Sequence, residues 1–211
     1  MTVLRTSNFS PMRDSRVIPL ITMATILVAG TIHVAGQIFG RAAPMRRATE
    51  LIRRQAPPTV NAALADAVTP ENASVLVSLT KQRVYLMADG KVYIDSPISS
   101  GKVAGMTPTG SFEVLEKDPN HSSTIYGDFV DRSGRVVRAG VSLKVDSAPS
   151  GTHYRGAPMK WFMRLTGEGV GMHIGILPGY PASHGCIRLP GAIAPLIYRK
   201  VKVGTPVTIE P

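Results

Sequence analysis

The chain has 211 residues, a formal net charge of +10 and 44% hydrophobic residues, a composition typical of one globular domain with an additional segment. Its single cysteine excludes an intramolecular disulfide, so the thiol of Cys186 is expected to be a small buried group, a metal ligand or a reactive group. A basic surface suits nucleic acid, anionic lipid or an acidic polymer, and charge alone does not choose among them.

The first predicted element is a membrane span over residues 17–40, "VIPLITMATILVAGTIHVAGQIFG". These 24 residues include no Lys, Arg, Asp or Glu, and a helix of this length crosses a hydrocarbon core of about 30 Å. Small residues at 34–36 suit a cleavable signal peptide, but the long apolar run favours an uncleaved signal anchor. Three arginines precede the span and five follow it, so the positive-inside count argues against a cytoplasmic N-terminus.

Residues 41–73 are predicted to form a stalk, because they mix Ala, Arg and Pro without sustained apolar periodicity. Short helices are expected around 44–54 and 59–68, with the pair Pro57-Pro58 breaking the chain between them.

From residue 74 the sequence changes to apolar and polar alternation, which predicts a β domain over 74–211. In "QRVYLMADGKVYIDSPI", Asp89-Gly90 is a favourable two-residue turn between two strands of a hairpin. One helix is expected in "GAIAPLIYRKV", after Pro190. The pattern indicates a mainly β fold of the sandwich or barrel type. Further strands are expected in "GSFEVLE", "RVVRAGVSL", "MKWFMRLT", "GVGMHIGI" and "TPVTIE".

The only cysteine lies close in sequence to two histidines, with His173 thirteen residues before Cys186 and His184 two before it. A thiol acts as a nucleophile when it is deprotonated, and a nearby histidine is a suitable base. Ile174 has no polar side chain, so the group that orients His173 must be a backbone carbonyl or a distant residue. A tight turn at Gly185 would let its N–H and that of Cys186 face one point, as an oxyanion hole requires. The pattern favours acyl transfer by a cysteine.

Simpler interpretations of the same residues remain open. Taken singly, Cys186 is an inert core thiol, His173 a core histidine and Arg188 a surface charge. A zinc site is the other chemical alternative, although the spacing lacks the short paired pattern of structural zinc sites. Its ligands would be His173, His184 and Cys186, with His121 or His153 as the fourth.

The segment from His173 to Arg188 resembles the signature of the L,D-transpeptidase catalytic domain, also called the YkuD domain. That signature is a histidine, a variable stretch, then Ser/Thr-His-Gly-Cys, a hydrophobic residue and an arginine, and "SHGCIR" stands here at 183–188. The resemblance extends upstream through "LTKQRVYLMADGKV", "SSGK" at 99–102 and "TPTGSFEV" at 107–114. It covers about 74–211 and implies a β-sandwich with one or two short helices.

The resemblance implies a role for each residue of the signature. Cys186 falls on the nucleophile and His173 on the general base, with the main-chain carbonyl of Ile174 orienting that base. His184 and Gly185 fall on residues that shape the oxyanion hole and the substrate cleft.

Ser183 and Arg188 are expected to bind substrate, with Arg188 holding either the loop or a substrate carboxylate. The polar segment Lys117 to Pro158 does not align with a core element of the family. It is expected to form either a lid or acceptor-binding surface, or an ordinary surface insertion.

The implied reaction is attack by Cys186 on the bond between the diamino acid and the terminal D-Ala of a peptidoglycan tetrapeptide stem. An acceptor amine then resolves the thioester, giving a 3-3 cross-link or attachment to a protein, whereas water gives an L,D-carboxypeptidase. An endopeptidase or amidase acting on wall peptides, and a non-catalytic wall-binding module on the same fold, are the alternatives. The resemblance implies no metal ion, no organic cofactor and no nucleic-acid partner.

Peptidoglycan lies outside the cytoplasmic membrane, so this function requires the β domain to be exported. The expected organisation is a cytoplasmic tail over 1–16, one span over 17–40 in the bacterial inner membrane, a stalk over 41–73 and a periplasmic catalytic domain over 74–211. A large C-terminal domain translocates despite basic flanking residues.

Overall fold

The computed structural model describes residues 54–211. The predicted tail, the predicted span over 17–40 and the first part of the predicted stalk therefore lie outside the described residues. Within residues 54–211, no helix combines the length and the apolar character needed to cross a membrane.

The described part of the chain is mainly β, with one α-helix and three sheets. In chain order its elements are β1 (Thr59–Val60), β2 (Ala73–Ser78), β3 (Arg83–Ala88), β4 (Lys91–Pro97), β5 (Gly110–Glu113), β6 (Glu116–Asp118), β7 (Ser122–Val130), β8 (Val136–Ser142), β9 (His153–Pro158), β10 (Phe162–Arg164), β11 (Gly171–Ile174), β12 (Ile187–Leu189), α1 (Ala194–Lys200) and β13 (Pro206–Glu210).

The largest sheet has the strand order β1-β4-β3-β2-β13-β5. Its hairpin β3–β4 turns at Asp89 and Gly90, whose φ angles of 50° and 73° are the positive values that a type I′ turn requires. Side chains of β3 alternate between buried and half-buried positions, as the sequence pattern predicts for a strand with one face on the core. The predicted hairpin is confirmed.

The second sheet has the order β12-β11-β10-β6, and in it β11 and β12 run parallel with Met172 paired to Ile187. The third sheet has the order β8-β7-β9 and is built from the polar segment between Lys117 and Pro158, which does not align with a core element of the family. This segment is therefore an ordered three-stranded sheet, and the strand predicted in "RVVRAGVSL" is β8.

A single apolar core joins the first two sheets to α1. The helix is shorter than the sequence predicts, since it begins at Ala194 and ends at Lys200, with Pro195 in its first turn, where a missing N–H is tolerated. Arg199 and Lys200 lie in its last turn, where positive charge complements the helix dipole. The largest fully buried core side chains are Leu86, Ile94, Ile98, Met163, Met172, Ile187, Leu189, Ile197 and Ile209.

The part of the predicted stalk that the structure describes, residues 54–73, packs against the β domain. β1 pairs with β4, and Lys200 Nζ donates to the carbonyl oxygens of Ala65 at 2.6 Å and Val68 at 2.8 Å. The short helix expected over 59–68 is replaced by β1 and one 3-10 turn over Ala62–Leu64, because pairing with β4 satisfies part of this backbone.

Candidate active site

The parallel strands β11 and β12 bring the predicted base and nucleophile to the same face of the second sheet. His173 is the register partner of Arg188. Cys186 precedes β12 by one residue and lies two positions before Arg188, so its side chain points to the same face as that of His173. Residues thirteen apart in sequence thus meet through the pairing of two short strands.

His173 is held in one orientation and one tautomer. Its Nδ1–H donates to the main-chain carbonyl of Ile174 at 2.7 Å, and because a carbonyl only accepts, Nε2 carries the free lone pair. Burial lowers the pKa of His173 to about 4, with positive charge from Arg188 acting in the same direction and the bond to Ile174 opposing it. The imidazole is therefore neutral at pH 7 and able to accept a proton at Nε2.

The thiol of Cys186 is half-buried and donates to the carbonyl of Gly169, with a sulfur to oxygen distance of 3.7 Å. Burial raises the pKa of Cys186, and the N–H of Gly171 and the charges of Arg188 and Arg164 only partly oppose this effect. At pH 7 the site therefore holds a neutral thiol and a neutral imidazole.

The turn before the cysteine is fixed by short hydrogen bonds. The hydroxyl of Ser183 donates to the carbonyl of Cys186 at 2.5 Å and accepts from the N–H of Gly185 at 3.0 Å. Thr107 Oγ1 donates to the carbonyl of Gly185 at 2.6 Å. Gly185 has a φ of 138°, and a Cβ there would lie 2.9 Å from the carbonyl oxygen of Met106, so the turn requires glycine.

Two predicted roles change in the light of this turn. The N–H of Gly185 was expected to face the oxyanion, but it is already bonded to Ser183 Oγ. Ser183 was expected to bind substrate, but it is 2% exposed and its hydroxyl is engaged as both donor and acceptor. Ser183 braces the turn that presents Cys186, a local contact that serine hydroxyls commonly make.

His184 lies at the mouth of the site and contacts two other segments. Its ring stacks on that of Tyr126 in β7, with centroids 4.4 Å apart and planes 15° apart. Lys102 Nζ lies 3.3 Å from His184 Nε2, and since an ammonium only donates, Nε2 is the acceptor. Partial desolvation at this exposed position lowers the pKa of His184, and the charges of Lys102 and Arg188 act in the same direction, which favours its neutral form.

Arg188 ties β12 to the "SSGK" segment at 99–102. Its main-chain N–H donates to Ser99 at 3.0 Å, and its carbonyl accepts from the N–H of Ser99 at 3.1 Å. Its stem packs closely over Gly175, where a Cβ would lie 2.6 Å from Arg188 Cγ. The guanidinium reaches the same cleft as His173 and Cys186.

These groups open into a cleft of about 940 Å³. One wall comes from the second sheet and the turn at 183–186, and the other comes from β7 and β9 of the third sheet. The segment from Lys117 to Pro158 therefore forms a wall of the cleft, and its role as a lid or acceptor-binding surface stays a prediction. The cleft-lining residues that the sequence did not single out include Tyr126, Lys144, Met159, Arg164, Glu168 and Val170.

The residues of the alternative zinc site do not converge. Among residues 54–211, the only three ligand-type side chains whose ligand atoms lie within 4.8 Å of one another are Glu116, Asp118 and His121. In this cluster the carboxylate of Glu116 pairs with Arg164 at 2.6 Å, and that of Asp118 pairs with His121 at 3.2 Å. His173, His184 and Cys186 thus offer no common point for a metal ion.

A cysteine and an oriented neutral histidine in a cleft between β-sheets define a candidate thiol acyltransferase. The model of the L,D-transpeptidase catalytic domain (YkuD) matches residues 72–209, and the chain belongs to this family. The family assignment made from the sequence is confirmed, and the mainly β architecture is that of the family.

Solved structures with similar folds are L,D-transpeptidases. The L,D-transpeptidase from Mycobacterium smegmatis has a TM-score of 0.50 and 23% identity, over 66% of this chain and 59% of that chain. An Enterococcus faecium L,D-transpeptidase has a TM-score of 0.49 and 24% identity, over 66% and 50% of the two chains. The Xylanimonas cellulosilytica protein has a TM-score of 0.48 and 21% identity, over 75% and 63%. A comparison with curated proteins found no match.

This chain thus spans less than two thirds of the length of the first solved structures that it matches, 59% in the case of the Mycobacterium smegmatis protein.

Proposed function

We propose that this protein is a peptidoglycan L,D-transpeptidase with Cys186 as its nucleophile and His173 as its general base. The donor is a tetrapeptide stem, and the cleaved bond joins its diamino acid to the terminal D-Ala. The acyl group passes to an acceptor amine, either on another stem, which gives a 3-3 cross-link, or on a protein.

The observation that carries the proposal is the fixed tautomer of His173 beside the lone thiol. The bond from Nδ1 to Ile174 leaves Nε2 as a proton acceptor on the face that also presents Cys186. Since burial keeps both groups neutral, the proton moves from sulfur to Nε2 as the sulfur attacks, rather than in a preformed ion pair.

The proposed reaction passes through a thioester between Cys186 and the diamino acid. Attack forms a bond from Sγ to the diamino acid carbonyl carbon, and the negative oxygen is held by the N–H of Cys186, since that of Gly185 is engaged. The imidazolium then donates its proton to the leaving nitrogen, which releases D-Ala and leaves a thioester. His173 next takes a proton from the incoming amine, and the thiol is regenerated when the new amide forms.

We also propose where the reaction takes place. The catalytic domain is placed in the periplasm, anchored in the bacterial inner membrane by residues 17–40. This rests on the uncharged run of 24 residues and on the extracytoplasmic position of peptidoglycan.

Mass analysis of products from purified tetrapeptide muropeptides tests the proposal. Full-length protein in detergent should release D-Ala and form dimers linked between diamino acids, and His173→Ala should lower the acylation rate by roughly 10²-fold or more. Tripeptides without dimers would instead identify a hydrolase. Unchanged muropeptides, with Cys186 still reactive to a thiol reagent, would favour a non-catalytic wall-binding module.

A further inference from the structure

Arg164 lies in the same row of the second sheet as the nucleophile. In the register of this sheet, Glu116 of β6 pairs with Arg164 of β10, and Arg164 pairs with Gly171 of β11. Ile187 of β12 pairs with Met172, so Cys186, one residue earlier, lies beside Gly171. Residues in one row point to the same face, which places Arg164 two strands from Cys186, or about 10 Å between their Cα atoms.

The residue between the arginine and the cysteine in this row is covered by the Phe162 ring. The residue between them in the row is Gly171, and a Cβ there would lie 2.4 Å from Phe162 Cε2 and 2.5 Å from the carbonyl oxygen of Met163. Only glycine fits at this position. The edge of the Phe162 ring therefore fills the space directly above Gly171, and the guanidinium of Arg164 lies over this ring.

The guanidinium of Arg164 is held in place on one side. Its Nε donates to Glu116 Oε2 at 2.6 Å, and its central carbon lies 5.3 Å from the centre of the buried Phe162 ring. The side chain of Arg164 is 26% exposed, and it lines the same cleft as Cys186. An arginine fixed through Nε keeps its terminal N–H groups for a second anion.

The free end of the guanidinium approaches the segment that holds the thiol. A Cβ built on Gly169 would lie 3.4 Å from Arg164 Nη1, and the carbonyl of Gly169 accepts the thiol hydrogen of Cys186. The cation and the sulfur thus share Gly169 as a neighbour. This proximity agrees with the lowering effect of the Arg164 charge on the pKa of Cys186.

We propose that Arg164, tethered by Glu116, binds the free carboxylate of the residue that leaves when Cys186 attacks, and so makes the enzyme selective for chain ends. The inference rests on the proposed function. In a tetrapeptide the terminal carboxylate lies one residue, about 3.5 Å, beyond the scissile carbonyl. Arginine binds such a group with two parallel hydrogen bonds. An additional residue moves the carboxylate about 3.5 Å further, away from the guanidinium.

The direct test compares a tetrapeptide stem with the same stem carrying a C-terminal amide. The full-length enzyme should show a kcat/KM roughly 10- to 100-fold higher for the acid, which is the range of one hydrogen-bonded charge pair. Arg164→Gln should show the same kcat/KM for the acid and for the amide, close to the value of the wild type with the amide. Arg164→Lys, which keeps a point charge, should retain part of the preference.

Arg155→Gln is the matched control, because it also removes one positive charge. Arg155 pairs with Asp128 in the third sheet and does not line the cleft. This variant should keep the full preference for the acid. A wild-type enzyme that treats acid and amide alike, or an Arg164→Gln variant that still prefers the acid, would overturn the proposal.

A second measurement needs no peptidoglycan substrate. Because Cys186 is the only cysteine, intact mass reports its alkylation alone. The rate with anionic iodoacetate divided by the rate with neutral iodoacetamide should fall several-fold in Arg164→Gln and stay unchanged in Arg155→Gln. If stems are not cleaved but this ratio falls, the anion site stands and the proposed function fails. An unchanged ratio in Arg164→Gln rejects the site itself.

Discussion

The ring of Tyr126 lies 4.4 Å from that of His184, and the two planes differ by 15°. Tyr126 belongs to β7 of the third sheet, whereas His184 belongs to the turn that precedes Cys186. This stack joins the wall built by the 117–158 segment to the turn before Cys186, which brings together residues nearly sixty positions apart in sequence.

Tyr126→Leu should lower kcat/KM by up to roughly tenfold, since aromatic pairs contribute about 0.5–1.5 kcal/mol. Tyr126→Phe keeps the ring and should retain most of the activity. Steady-state kinetics on tetrapeptide stems, with thermal unfolding alongside, measures both variants. Equal activity of the Leu and Phe variants would show that the stack does not position His184 for catalysis.

Cys186→Ala should abolish turnover and leave the thermal midpoint nearly unchanged, because the substitution removes one half-buried sulfur atom. The family resemblance also implies acylation by carbapenems, so the intact mass of the wild type should rise on treatment and that of the variant should not. Residual cleavage at a substantial fraction of the wild-type rate would assign the nucleophile elsewhere.

The low pKa of His173 should make the protein less stable in acid. Burial lowers this pKa from 6.5 to about 4. Above pH 6.5 the histidine is neutral in both states and has no effect. As the pH falls from 6.5 to 4, the unfolded chain binds a proton that the native site rejects, so the free energy of unfolding decreases by about 3 kcal/mol.

Denaturant titrations of wild type and His173→Gln across pH 4 to 7 measure this effect. The difference in slope between the two proteins isolates the histidine, because the other titrating groups are common to both. Parallel pH profiles would show that His173 titrates normally in the native state.

Gly185→Ala should destabilise the turn by about 1–3 kcal/mol, since alanine rarely adopts a φ of 138° and its Cβ would lie 2.9 Å from Met106 O. Gly191→Ala is the control, because a Cβ there has no neighbour within 4 Å and its φ is not positive. Chemical denaturation and Cys186 alkylation rates compare the two. A Gly185→Ala variant as stable and as reactive as Gly191→Ala would mean that the turn tolerates a side chain.

The sequence predicts local features of this fold well. The hairpin at Asp89-Gly90 follows from turn chemistry, and the pairing of Cys186 with His173 follows from the family signature. The sequence does not predict the stack of Tyr126 on His184. It also does not predict the row that joins Arg164 to Cys186, because both features depend on strand registers between distant segments. The hydrogen bond from the Gly185 N–H to Ser183 is predictable from the local sequence, since a serine hydroxyl commonly accepts from an N–H two residues later.

The predicted span over residues 17–40 lies outside the described residues and has its own test. Full-length protein should stay with membranes after a high-salt wash, because salt screens charge contacts and not hydrophobic insertion. Protease added to spheroplasts should digest the β domain. Protection of that domain would place it in the cytoplasm and rule out a wall transpeptidase. A mature protein beginning near Gln37 would instead indicate a cleaved signal peptide.

The order of the largest sheet places β13, over residues 206–210, between β2 and β5. The ribosome makes β2 more than a hundred residues before β13, its parallel neighbour. The strand β5 also pairs with β13 in this sheet. The sheet thus lacks one interior strand until synthesis reaches residues 206–210. A nascent chain in that state has not yet closed its core, so this domain completes its folding only after residues 206–210 have been made.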